Sequence, residues 1–290
     1  MLLTIKQLRV KYGSQIALQI SSPLCFEEGE RIGVIGSNGA GKTTLVKAIL
    51  GLADYEGRIL TKLKPEQMAA HMQTNAYVTT MPVRRIMEMI LNTKIKENKE
   101  LQELIDFFEF EECLSKRYKA LSGGQKQKFT IIMIMMQKAE LTFYDEVTSG
   151  LDFETRQKLM EKLVEWYQDK KDSLIIVSHY YEELEQLADK ILLLDQGKVI
   201  AYGKKEELFK TYCGNVIFIL DNNETNRELV KGFRTLKSPG HLLALSCRDQ
   251  EEERKLLSLL VDHNVNFKRS NSDIEMMSIN AREQFYASAG

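Results

Sequence analysis

Residues 30–44 read ERIGVIGSNGAGKTT. A compact apolar run at 32–35 leads straight into a glycine loop. The loop opens into KTTLVKAILGL, whose apolar residues recur at helical spacing until Gly51 stops the pattern. A strand, a glycine loop and a helix in that order fit GxxxxGK[ST], with Gly36, Gly41, Lys42 and Thr43 at the fixed places. The glycines let successive backbone N–H groups curl around phosphate oxygens, and the helix start adds partial positive charge. Ser37, Asn38, Gly39, Ala40 and Thr44 make up the rest of this cradle. Lys42 has the reach for terminal phosphates, and the Thr43 hydroxyl is a ligand for Mg²⁺. The stretch predicts a nucleotide-binding α/β domain.

Working outward, LLTIKQLRVKY and IALQISSPLCF alternate like half-buried antiparallel strands. Residues of about 75–120 turn helical, with Leu101, Leu104, Ile105 and Phe108 on one stripe. Strand-like runs return at ELTFYDE (140–146), SLIIVSH (173–179) and KILLLDQGKVIAYG (190–203), separated by helical patterns. That alternation predicts a parallel sheet with crossover helices. ELTFYDE ends an apolar strand in Asp145, a carboxylate for Mg²⁺, and then Glu146, which can polarise an attacking water. LSGGQ (121–125) puts two glycines at a second helix start, so one chain carries two phosphate-facing helix ends. The following IIMIMM is apolar all round and short, which predicts a buried helix.

Together these residues resemble the ATPase subunit of ABC transporters over about residues 1–210. The family's signature stands here as Leu121, Ser122, Gly123, Gly124 and Gln125, its D-loop as SGLD with Asp152, its switch histidine as His179, and its stacking aromatic as Tyr12. Gln73 is similar to the family's lid glutamine, which senses Mg²⁺ and the membrane partner, with Gln67 close by as a competing match. The resemblance implies a P-loop NTPase core with an antiparallel β subdomain and a helical insert, binding ATP and Mg²⁺. It implies a two-fold ATP sandwich, in which Ser122, Gly123, Gly124 and Gln125 face the nucleotide of a second copy or a paralogous subunit. It also implies separate transmembrane permease subunits and a place on the cytoplasmic face of the membrane. Val147, Thr142 and Lys128 depart from the family's usual proline, apolar residue and arginine.

A formal charge of −1 gives no electrostatic case for nucleic acid. Cys25, Cys113, Cys213 and Cys247 have no paired spacing and read as free thiols. His71, His179, His241 and His263 lack zinc-ligand spacing. Met72, Met81, Met87 and Met89 mark the insert as an adaptable groove for a partner helix. Residues 211–290 read as a small α/β appendage. Every nucleotide motif is complete before it, so the expectation is that it does not touch ATP. Its likeness to the tails of exporter ATPases with separate membrane subunits implies export, with amphipathic peptides as the cargo class and an importer ATPase or a soluble non-transport ABC ATPase as the alternatives.

Overall fold

The structure is a computed structural model that describes residues 1–72, 77–168 and 171–289. Among them, ten strands form one curled sheet with the order β3-β1-β2-β10-β9-β4-β8-β7-β6, and β5 pairs with β1 off that path. Its antiparallel wing is β1 (Leu3–Tyr12), β2 (Gln15–Ile20), β3 (Leu24–Phe26) and β5 (Glu56–Thr61). Its parallel core is β4 (Arg31–Ile35), β6 (Met68–His71), β7 (Leu141–Asp145), β8 (Ser173–Val177) and β9 (Lys190–Asp195). β10 (Lys198–Lys204) returns antiparallel to β9 and meets β2. The run IALQISSPLCF, expected as one strand, is two. Pro23 cannot donate to a ladder, and the chain turns there.

The central strands carry continuous apolar runs because they are covered on both faces. β7 and β8 are buried at every position. Helix α1 (Lys42–Ile49) follows β4. The insert contributes α2 (Val83–Ile90) and α3 (Lys99–Phe107), the latter capped by Asn98, whose side chain accepts from the Leu101 N–H. Helix α4 (Gly123–Gln137) buries Phe129 through Met136 without interruption, as an apolar-all-round pattern requires. Helices α5 (Phe153–Gln168), α6 (Tyr181–Leu187) and α7 (Lys205–Cys213) complete the larger unit.

Beyond α7, four antiparallel strands form a second sheet of order β12-β13-β11-β14. These are β11 (Val216–Asp221), β12 (Thr235–Leu236), β13 (Leu242–Cys247) and β14 (Phe267–Ser270), with α8 (Glu224–Leu229), α9 (Gln250–Asp262) and α10 (Ile274–Ala289). Residue 210 lies inside α7, so the chain crosses between the two sheets in a helix. One apolar cluster runs through both sides, joining Leu184, Leu187 and Leu193 to Phe209, Ile217, Met276 and Ala281. Helix α10 packs against α7, α6 and β10.

Parallel pairing decides where the chemistry falls. β4 lies between β8 and β9, β8 pairs with β7, and Asp145 is opposite Val177. The residues that follow β4, β7 and β8 therefore emerge at one edge of the sheet, where ligands of open α/β folds bind.

Candidate nucleotide site

The phosphate loop is shaped by contacts only glycine permits. A Cβ at Gly36 would stand 2.3 Å from the Leu194 carbonyl oxygen, so the loop leaves β4 pressed against β9. Gly41 has φ +99°, and a side chain there would meet the Ala17 oxygen at 2.8 Å. Residues 38–44 then line a cavity of about 810 Å³ together with Tyr12 and Glu146. Tyr12, half exposed at the end of β1, stands on the rim. Lys42 is buried, and its Nζ donates to the carbonyls of Gly36 at 2.8 Å and Ser37 at 3.1 Å. Burial lowers the Lys42 pKa, Glu146 and Asp145 pull it back up, and Arg282 lowers it further.

Asp145 ends β7 fully buried, and neither carboxylate oxygen has a hydrogen-bond partner among the described residues. Burial pushes its pKa up. The Thr43 hydroxyl is near enough to ease the charge, but no hydrogen bond of normal geometry closes between them. An orphaned carboxylate beside a hydroxyl and a phosphate cradle suits a divalent cation. No group of three His, Cys, Asp or Glu side chains could hold a metal among the described residues, so nucleotide phosphates would have to complete its coordination.

Glu146 follows with φ 53°, a left-handed conformation that costs a non-glycine residue strain. Its N–H donates to the Val177 carbonyl at 2.9 Å, which pins the turn to the end of β8. Its Oε1 lies 2.6 Å from His179 Nε2, so the two side chains that follow β7 and β8 meet at the mouth of the cavity. Val147 is buried, and its carbonyl accepts from Gln127 Nε2 on α4, tying the helix after LSGGQ to the segment after Glu146. Of the other departures from the family pattern, Thr142 is buried within β7, and Lys128 Nζ caps the Phe108 carbonyl at 3.0 Å.

The signature forms the start of α4. Ser122 Oγ accepts from the Gln125 N–H at 3.3 Å, and Gln125 Oε1 accepts from the Ser122 N–H at 3.1 Å, a capping box. Gly123 and Gly124 line a second cavity of about 640 Å³ with His71, Ser149 and Glu146, and none of residues 121–125 lines the phosphate-loop cavity. Asp152 caps α5, its two oxygens taken by the Thr155 N–H at 2.9 Å and hydroxyl at 2.7 Å. Those contacts hold its carboxyl below the usual range. Gln73 lies outside the described residues.

Sequence reasoning passed over Asp195, the last residue of β9. It is buried, accepts from Ser37 Oγ at 2.9 Å, and is followed by Gln196 and Gly197 in the cavity wall. The signal was present: ILLLD is a second apolar strand ending in an acid at the same sheet edge as the strand of Asp145.

The fold and this site define a P-loop ATPase. A family model described as ABC transporter matches residues 21–149. The manganese transport system ATP-binding protein MntB of Halalkalibacterium halodurans is 32% identical over 210 residues, covering 65% of this chain and 83% of MntB. The linearmycin resistance ATP-binding protein LnrL of Bacillus subtilis is 28% identical over 249 residues, covering 81% of this chain and 79% of LnrL. A solved ATP-binding subunit of an ABC transporter superposes with a TM-score of 0.65 at 26% identity, over 73% of this chain and 93% of that one. The chain belongs to the ABC transporter family of ATP-binding subunits. ATP hydrolysis coupled to transport is the expected activity of that family. Curated relatives carry both import and export names.

Proposed function

We propose that this chain hydrolyses ATP in a two-fold sandwich, each phosphate loop closed by the LSGGQ of a second copy. One observation carries the reading. A Cβ at Gly123 or Gly124 would meet nothing within 4 Å, so nothing in this chain's own packing demands glycine there. Glycine inside a helix costs roughly 1 kcal/mol relative to alanine. Two unneeded glycines at an exposed helix start fit a close approach from outside the chain, by a phosphate that the chain's own loop does not present. In this scheme Lys42 and the backbone of 36–41 hold the phosphates, Tyr12 stacks on the adenine, and Thr43 and Asp145, with Gln73, hold Mg²⁺. The cation would neutralise charge developing on the phosphates. Glu146 accepts a proton from the attacking water, and His179 keeps that carboxylate at the cavity mouth. Asp152 lies next to the joint. Light scattering of Glu146→Gln in ATP tests the scheme: a dimer supports it, and a monomer that retains bound ATP at high protein concentration overturns it.

The transmembrane partner docks, in this reading, on the insert. Tyr77, Val78, Met81, Ile86, Met89 and Ile90 line an apolar groove whose Val78, Met89 and Ile90 are exposed. A short helix of a permease subunit is the occupant, since an ATP-binding subunit must pass its motion to a membrane-spanning chain. Among the described residues no helix is long and apolar enough to cross a membrane. We assign residues 1–210 to the ATPase unit and 211–290 to an accessory unit, and we read the direction as export, with amphipathic peptides as cargo, from that appended tail. ATP-driven accumulation of such a peptide in inside-out vesicles supports export. Accumulation only in right-side-out vesicles loaded with ATP would reverse the direction.

A further inference from the structure

Helix α10 is tied to the ATPase unit at both ends. At its start, Glu185 of α6 accepts from the Ile274 N–H at 2.7 Å and from Ser272 Oγ at 2.8 Å. Helix α6 begins two residues after His179. Along its middle, Met276, Met277 and Ala281 are buried in the same apolar cluster as Leu184 and Leu193. Near its end, the Tyr286 hydroxyl donates to Asp195 Oδ2 at 2.8 Å, while Ser37 Oγ donates to Oδ1 of the same carboxylate at 2.9 Å. One buried carboxylate thus joins the last helix of the chain to the second residue of the phosphate loop, across 91 and 158 residues of sequence. Ser37 is gripped from its other side by Lys42, and the Gly197 N–H, two residues beyond Asp195, donates to the Ala40 carbonyl at 3.2 Å. One turn before Tyr286, Arg282 keeps a buried Nε with no partner among the described residues.

We propose that Tyr286 is a positioning residue for nucleotide binding: through Asp195 it fixes Ser37, and with it the backbone curl that receives the phosphates. The inference rests on the phosphate loop being the ATP site. A cradle of backbone N–H groups binds best when its dihedral angles are set before the ligand arrives, because freedom already surrendered is not charged to binding. Asp195 is the post to which that cradle is fastened. Without the tyrosine hydroxyl, a buried carboxylate loses one of its two donors, and the group it holds in place loosens. The appendage, expected to stay remote from ATP, thereby becomes a determinant of ATP affinity. Its attachment to α6 places the same helix on the element that follows His179.

The test uses the full chain and three variants: Tyr286→Phe, Ser37→Ala and the double substitution. Binding of a non-hydrolysable ATP analogue with Mg²⁺ is measured by calorimetry, and steady-state hydrolysis is measured alongside. Tyr286→Phe removes one oxygen from a partly exposed ring, so the fold survives. The expected result is a Kd raised about three- to ten-fold, with KM for ATP raised by the same factor and kcat held within about two-fold. A merely structural role would lower the active fraction and leave KM in place. In the Ser37→Ala background the tyrosine substitution should add nothing, since the path from ring to loop is already cut. An unchanged Kd in Tyr286→Phe, or losses that multiply in the double variant, overturns the inference. A wild-type chain that binds no Mg²⁺-nucleotide overturns the ATP-site reading and this inference together; normal wild-type binding with an unaffected Tyr286→Phe overturns this inference alone.

Discussion

Asp145→Asn should make the nucleotide-free protein more stable and the nucleotide-bound protein less so. The carboxylate is fully buried, and neither oxygen is hydrogen-bonded among the described residues. Leaving a buried polar group unpaired costs about 1–3 kcal/mol, more when it is charged. The asparagine amide still needs partners, so the net gain is about 1–2 kcal/mol, a rise of about 2–3 °C in Tm for a chain of this size. Burial raises the Asp145 pKa above its unfolded value, so the folded state keeps a proton that the unfolded chain has released. The wild type therefore loses stability as pH rises through that folded value, and its deficit against Asp145→Asn should be present above this range and vanish at acid pH. Ligand reverses the order. At about 100 times the dissociation constant, a Mg²⁺-nucleotide stabilises the wild type by about 2.7 kcal/mol. If the substitution weakens binding about 100-fold, the variant gains only about 0.4 kcal/mol. Scanning calorimetry in EDTA, then with Mg²⁺ and a non-hydrolysable analogue, should show the two melting curves exchange places. A variant less stable than wild type in EDTA, or a Tm lead that persists undiminished with ligand, would refute the reasoning that this carboxylate is held unpaired for a cation.

Glu146→Gln should keep nucleotide affinity and lower kcat by about 10²–10⁴-fold, because the amide is a poor proton acceptor in the same shape. Ser122→Arg added to it should dissolve the ATP-dependent dimer seen by light scattering while each monomer still binds ATP; lost affinity in the monomer would show that LSGGQ serves its own chain. Met89→Asp or Ile90→Asp, on the exposed rim of the apolar groove, should leave ATP binding by the isolated chain unchanged to within about two-fold and abolish transport with the membrane subunits, measured in reconstituted vesicles. His71 is buried with Nδ1 unpartnered, and burial lowers its pKa to about 4. The unfolded chain therefore takes up a proton first as pH falls, and about 3 kcal/mol of stability should be lost between pH 6.5 and 4. Denaturant titrations of His71→Leu should lack that component.

What was legible in the sequence is what short-range pattern encodes. The loop at 36–44, the acid-ended strand of Asp145 and the helix from 123 each carry a local signal of spacing or continuous burial, and the structure shows those elements in place. β5 escaped because five of its six residues face solvent, leaving no alternation to see. β6 escaped because MAAH is too short to show a period. The stretch from 272 on belongs to the appendage expected to stay remote from ATP. It is a helix packed into the main core, and its bond from Tyr286 to Asp195 spans a separation that no window of sequence can cover. Asp152 and Ser122 illustrate a different limit. Ser122 was singled out for a partner's nucleotide and Asp152 as the D-loop acid, and both cap helices in this chain, so a local capping pattern accounts for either residue without a partner.

Glu146 shows how the two helix starts proposed to face phosphate would be coupled. It lines both cavities, the one with the phosphate loop and the one with Gly123 and Gly124. It stands in a strained left-handed turn held by the Val177 carbonyl, and its carboxylate rests on His179. The helix of the signature reports to the same turn, through Gln127 and the Val147 carbonyl. A movement of α4, such as one imposed when its exposed glycines close on another chain's phosphate, would therefore pull directly on the peptide that follows Glu146. In the proposed sandwich, strain stored at one residue and shared between two cavities would make hydrolysis depend on the joint being closed. Under that scheme, chemistry in one subunit would be withheld until the other has bound, as coupling ATP hydrolysis to transport demands.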